Sequence, residues 1–171
     1  MMRALQTMLT RYRAELWQVL AIVLATLFSF LLASALALAE PFWSVITAAI
    51  VARITARGAL RLALYRLLGT LAGAAFGLLL AFARSTGAPE SALLVLLVAP
   101  LALLGVILRE LRAALIAGII VFSAAAHLAS PIAPALARIM EVGLGAIVAA
   151  IVSIALGAVF RTPAPSAGQR P

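Results

Sequence analysis

The stretch Pro41–Gly77, PFWSVITAAIVARITARGALRLALYRLLGTLAGAAFG, decides the fold. An apolar run that opens on aromatics passes into an Arg-rich turn, and a second apolar run carries Gly69, Gly73 and Gly77. Residues four apart share a helix face, so the three glycines form a stripe on which a neighbouring backbone can close. Arg66 stands three residues before Gly69 and joins that face. A cation aimed at a tight helix seam inside a membrane bundle is expensive to keep, which marks it as a candidate functional residue.

The whole chain is of this kind. Its 171 residues are 66% hydrophobic with a mean hydropathy of +1.22, far above soluble domains, and its uncharged runs are long enough to cross a bilayer. One integral membrane domain accounts for it. The formal charge of +8 comes from 13 arginines with no lysine and no aspartate, against five glutamates. In a membrane protein such an excess reads first as a topology signal and does not call for nucleic acid. The absence of cysteine removes disulfides, thiolate catalysis and Cys metal sites. A single histidine and no aspartate leave no plausible metal centre, cofactor site or intramembrane active site, and no Gly-x-Ser-x-Gly is present. The chain is therefore not expected to be an enzyme.

Outward from the opening stretch, residues 1–16 carry Arg3, Arg11, Arg13 and Glu15 among apolar positions, an amphipathic cytoplasmic segment. Six transmembrane helices follow, at about 17–39, 42–55, 62–83, 92–108, 113–129 and 135–160. The first ends in ALALAE, which resembles a signal-peptidase site, but its apolar run exceeds a signal-peptide core and a retained helix is expected. Pro100 falls inside the fourth span and predicts a kink. Residues 161–171, TPAPSAGQRP after Arg161, form a Pro-rich tail expected to be disordered. With both termini cytoplasmic, eleven arginines fall on or near the inner side, and only Arg84 and Arg138 fall outside. This predicts a multi-pass protein of the cell (inner) membrane. The Arg53, Arg57, Arg61 stripe then fixes orientation and meets anionic lipid heads.

A shift of 72 residues lays Arg66-Leu-Leu-Gly69-Thr-Leu-Ala-Gly73 over Arg138-Ile-Met-Glu141-Val-Gly-Leu-Gly145. The small-residue stripe recurs as well, through Gly145, Ala149 and Gly157. Three helices per repeat is an odd number, so the expected all-α fold is two inverted three-helix repeats with substrate between them. Arg66 and Arg138 would then sit near opposite mouths. Glu141, one turn from Arg138, either pairs with it or titrates. Glu40 reads as a solvated loop charge beside a proline.

At these residues the chain resembles the fusaric acid resistance (FUSC) family, the aromatic acid exporters related to plant aluminium-activated malate transporters. The resemblance rests on the PFW opening at Pro41, the Arg-rich turn, and Arg66-Leu-Leu-Gly69-Thr70-Leu-Ala-Gly73, and it extends over most of residues 17–160. It implies export of organic anions, typically aromatic carboxylates, driven by the proton gradient. Relatives often carry two membrane halves, so a homo-oligomer, most simply a dimer, is expected. On this reading Arg66, Thr70, Arg138 and Trp43 are candidate substrate contacts, while Glu141 and His127 are candidates for proton coupling. Gly69, Gly73, Gly77, Gly145, Ala149 and Gly157 are packing positions. The competing expectation is an accessory membrane protein that acts only with a partner subunit.

Overall fold

The structure is a computed structural model that describes residues 2–127 and 130–159. Among these residues it is all helical. The helices are α1 (Met2–Ala35), α2 (Pro41–Val51), α3 (Ala56–Ala83), α4 (Glu90–Ile107), α5 (Ala113–Ala124) and α6 (Ile132–Val159). Single 3-10 turns at Arg84–Thr86 and Arg109–Leu111 join α3 to α4 and α4 to α5. Phe160 and the expected C-terminal tail lie outside the described residues.

Among the described residues four segments are long and apolar enough to cross a membrane: Glu15–Ala35, Ala56–Thr86, Glu90–Ile107 and Ile132–Val159. The other two expected spans differ from the sequence expectation. The second helix stops at Val51, not residue 55, and the fifth at Ala124, not residue 129. With 11 and 12 residues they reach only about 16–18 Å, roughly half the hydrocarbon thickness. The N-terminal segment also differs, since one unbroken helix runs from Met2 through Ala35. Pro100 is carried inside α4 without ending it.

The early end of α2 has a specific cause. Ala52, fully buried, leaves the helix with ψ 124°, which frees backbone groups that need partners. Side chains from two other helices take them up. Gln18 donates its amide N–H to the Ala52 carbonyl (3.0 Å) and accepts from the Ile54 N–H (3.2 Å), and Ser153 Oγ accepts from the Arg53 N–H (3.1 Å). Thr55 then caps α3 by accepting from the Gly58 N–H.

Each short helix lies along a long one from the other half of the chain. α5 runs beside α3, with Ala113 and Ala114 at Gly69 and Gly118 at Gly77. α2 runs beside α6 in the same sense, with Ser44 at Gly145 and Ile54 at Gly157. Between them α3 and α6 cross antiparallel: Ala63 clusters with Ala146 and Ala149, while Ala74 clusters with Ala135. Helix ends also recur along the chain, Ala35 and Ile107, then Pro41 and Ala113, each 72 residues apart.

Backbone contact explains why the stripe residues are small. A Cβ on Gly73 would collide with the carbonyl of Ala114, and one on Gly145 with the carbonyl of Ser44. A Cβ on Gly77 would lie 2.5 Å from the Gly118 oxygen. Gly157 is looser, 3.5 Å from the Ile54 oxygen at the end of the seam. In lipid the association of helices rests on such close packing, because burial of apolar surface supplies little.

The seam predicts opposite outcomes for one substitution at different glycines. Gly73→Ala and Gly145→Ala lower the thermal unfolding midpoint in detergent, a loss of about 1–3 kcal/mol or more. Gly143→Ala, whose nearest neighbour would be Leu67 at 3.8 Å, leaves it unchanged or raises it by about 0.5–1 kcal/mol.

Candidate functional site

Charged side chains inside this bundle collect where α1 turns into α2 against α6. α1 ends in a Schellman arrangement: the Leu38 N–H donates to the Ala33 carbonyl and the Ala37 N–H to that of Ser34, with Ala37 left-handed at φ 50°. The chain then re-enters a helix at Glu40, with Pro41 in the first position. That geometry presents both the Glu40 backbone and its carboxylate to α6.

From α6 come Arg138 and Glu141, three residues apart on one face, 5% and 1% exposed. Arg138 places one guanidinium nitrogen 3.1 Å from Glu141 Oε2 and another 3.3 Å from Glu40 Oε2. The remaining Glu141 oxygen, Oε1, accepts from the Glu40 N–H at 2.8 Å. Trp43, one turn into α2, donates its indole N–H to Glu40 Oε2 and lies under the Arg138 guanidinium, 4.2 Å from ring centroid to carbon. The result is a closed network of two carboxylates, one guanidinium and an indole. A charge-assisted hydrogen bond to Glu40, the ion pair with Glu141 and a cation–π contact offset the desolvation of Arg138.

Arg66 has no such company. It sits on α3 one turn before Gly69, where the Arg109–Leu111 turn packs against the helix and the Leu111 carbonyl faces Gly69. Its Nε is enclosed without a hydrogen-bond partner, and no carboxylate among the described residues pairs with it. The acid of that turn, Glu110, reaches the exposed Arg61 instead, at 3.4 Å. At the offset of 72, Glu40 corresponds to Arg112, Trp43 to Leu115 and Glu141 to Gly69. The place that neutralises Arg138 therefore has no acid at Arg66. Arg84, at the far end of α3, is matched like Arg138: Glu90 lies 2.7 Å away and the Phe122 ring 3.9 Å beneath it.

The other candidates disperse. Thr70 is buried on α3 next to Gly69, one turn beyond Arg66. His127 is exposed in the turn after α5, its N–H donating to the Ala124 carbonyl, and no hydrogen bond links it to Glu141. The residue missed from sequence is Glu40, which is no free loop charge. It is 98 residues from Arg138, so nothing local announced the pairing. The only signal was its place at the head of a helix that also begins with Trp43. Among the described residues no group of His, Cys, Asp and Glu could hold a metal ion.

Residues 20–152 match the family model described as fusaric acid resistance protein-like. No curated protein and no solved structure matches the chain.

The network predicts a strong non-additivity. Arg138→Gln strands Glu141 in the interior and lowers stability by about 3–5 kcal/mol, whereas Arg138→Gln with Glu141→Gln recovers most of that loss. Thermal unfolding of both single variants and the double variant in one detergent measures it.

Proposed function

The chain belongs to the fusaric acid resistance protein-like family, a family of membrane transporters, and on that premise we propose that it carries small organic anions, with aromatic carboxylates as the substrate class. The observation that carries this reading is the contrast between its two corresponding arginines. Arg138 is ion-paired from within by Glu40 and Glu141, while Arg66, whose Nε is enclosed without a hydrogen-bond partner, has no paired carboxylate among the described residues. A half-buried cation without a counter-ion carries a desolvation cost, and a carboxylate from outside offsets that cost by charge-assisted hydrogen bonding. Arg66 is thus the proposed anion acceptor, with buried Thr70 on the next turn of the same face as a second contact.

The two halves are proposed to be inverted repeats, with the antiparallel crossing of α3 and α6 as the axis between them. Each short helix packed on the other half's glycine stripe is a natural moving part, since rocking one half against the other changes access on both sides. Export toward the outside and coupling to protons complete the proposal. Glu141 is the proposed proton carrier, because loss of its charge would weaken its hold on both Arg138 and the Glu40 backbone. A homodimer in the inner membrane is the proposed assembly.

Flux of labelled benzoate in proteoliposomes tests the assignment. Arg66→Gln lowers flux at least about tenfold at unchanged folded yield, the scale of one lost hydrogen bond to a charged group. An imposed pH gradient accelerates the wild type but not Glu141→Gln. Parallel loss of flux and folded protein would assign Arg66 to folding. A folded oligomer without any flux would favour an accessory subunit.

A further inference from the structure

The Arg138 network holds more negative than positive charge. One guanidinium serves two carboxylates, and the two are unlike each other. Glu141 is 1% exposed, comes from the same helix turn as Arg138, and is tied on its other oxygen by the Glu40 N–H. The Glu40 side chain is 61% exposed, arrives from a turn between helices, and engages Arg138 and Trp43 through a single oxygen, Oε2. Glu141 alone brings Arg138 to neutrality. The Glu40 carboxylate is the surplus, replaceable anion.

The position of that oxygen is equally specific. It accepts at once from a guanidinium N–H and an indole N–H, while the guanidinium lies flat over the indole ring. This is how a protein holds the carboxylate of a ligand: two convergent donors of different kinds, with an aromatic surface beside them. Arg138 is more than nine-tenths buried, and its Nε and Nη1 have no hydrogen-bond partner. The site is built and its donors are fixed, but its acceptor is supplied by the chain itself.

We infer that Glu40 is a tethered competitor at a second carboxylate site formed by Arg138 and the Trp43 indole, and that a substrate carboxylate binds there by displacing the Glu40 side chain. The backbone of Glu40 does not move in the exchange, because its N–H remains on Glu141. The inference rests on the reading of the protein as a carrier of organic anions. It gives that reading a second station, at the end of the bundle where α1 meets α2, which opens only when the resident carboxylate leaves. Apparent affinity at such a site is the intrinsic affinity reduced by the fraction of time the tethered group is absent. A group on so short a tether competes at a high effective concentration.

The test is a titration of purified protein in detergent with benzoate, read by tryptophan fluorescence, with Trp43→Phe identifying the signal of Trp43. Glu40→Gln keeps the backbone N–H and removes the competing charge. It is expected to tighten the apparent Kd for benzoate at Trp43 by about tenfold or more. The response is expected to vanish in Arg138→Gln/Glu141→Gln, a double variant that leaves no stranded interior charge. An unchanged or weaker Kd in folded Glu40→Gln overturns the inference, as does a response that survives the double variant or no response in any form. The titration involves no flux and leaves Arg66 intact. Failure of transport with a positive titration sinks only the broader reading, and Arg66-dependent flux with a negative titration sinks only this one.

Discussion

The constraint on which the structure depends is backbone-to-backbone contact between a short helix and a glycine stripe. Gly73 and Gly77 admit the backbone of α5, and Gly145 admits that of α2, at distances that leave no room for a methyl group. The surroundings of Arg66 and Arg138 are placed by this contact. The start of α2 is pressed against α6 at the level of Glu141, and the start of α5 is pressed against α3 at the level of Gly69. The two long helices, α3 and α6, therefore each meet a helix beginning and an interhelical turn at corresponding positions.

What differs between those positions is chemistry. Around α6 the incoming turn brings Glu40 and the helix brings Trp43, and both close on Arg138. Around α3 the incoming turn brings Arg109, Glu110 and Arg112, and its one acid bonds the exposed Arg61. A geometry used twice thus holds one cation that is ion-paired within the chain and one that, among the described residues, is not. A half-buried guanidinium without a counter-ion carries a desolvation cost, and an anionic ligand is the simplest thing that offsets it.

Much of this was legible in sequence because it depends on short spacings. Glycines four apart, an arginine one turn before them, and Arg138 with Glu141 on one turn are all local patterns, and each appears in place. The lengths of α2 and α5 were not legible. Their apolar runs continue past the last helical residue, and what ends α2 is a set of hydrogen bonds from Gln18 and Ser153, far away in the chain. Hydropathy registers that the segment is apolar but not that its backbone has found side-chain partners. The role of Glu40 was hidden for the same reason: a Glu-Pro step reads as a loop until α6 is brought beside it.

The account stands on the difference between the two arginines, and equilibrium stabilisation by ligand tests that difference without any transport. Benzoate is added to purified protein and the shift in its thermal midpoint is compared across variants, since a ligand that binds the folded state raises its stability by mass action. The account predicts that Arg66→Gln removes most of the wild-type shift, because Glu40 occupies the Arg138 station, and that Arg138→Gln/Glu141→Gln retains most of it. A shift undiminished in Arg66→Gln and lost in the double variant would contradict it, placing the anion first on the arginine that the chain already neutralises.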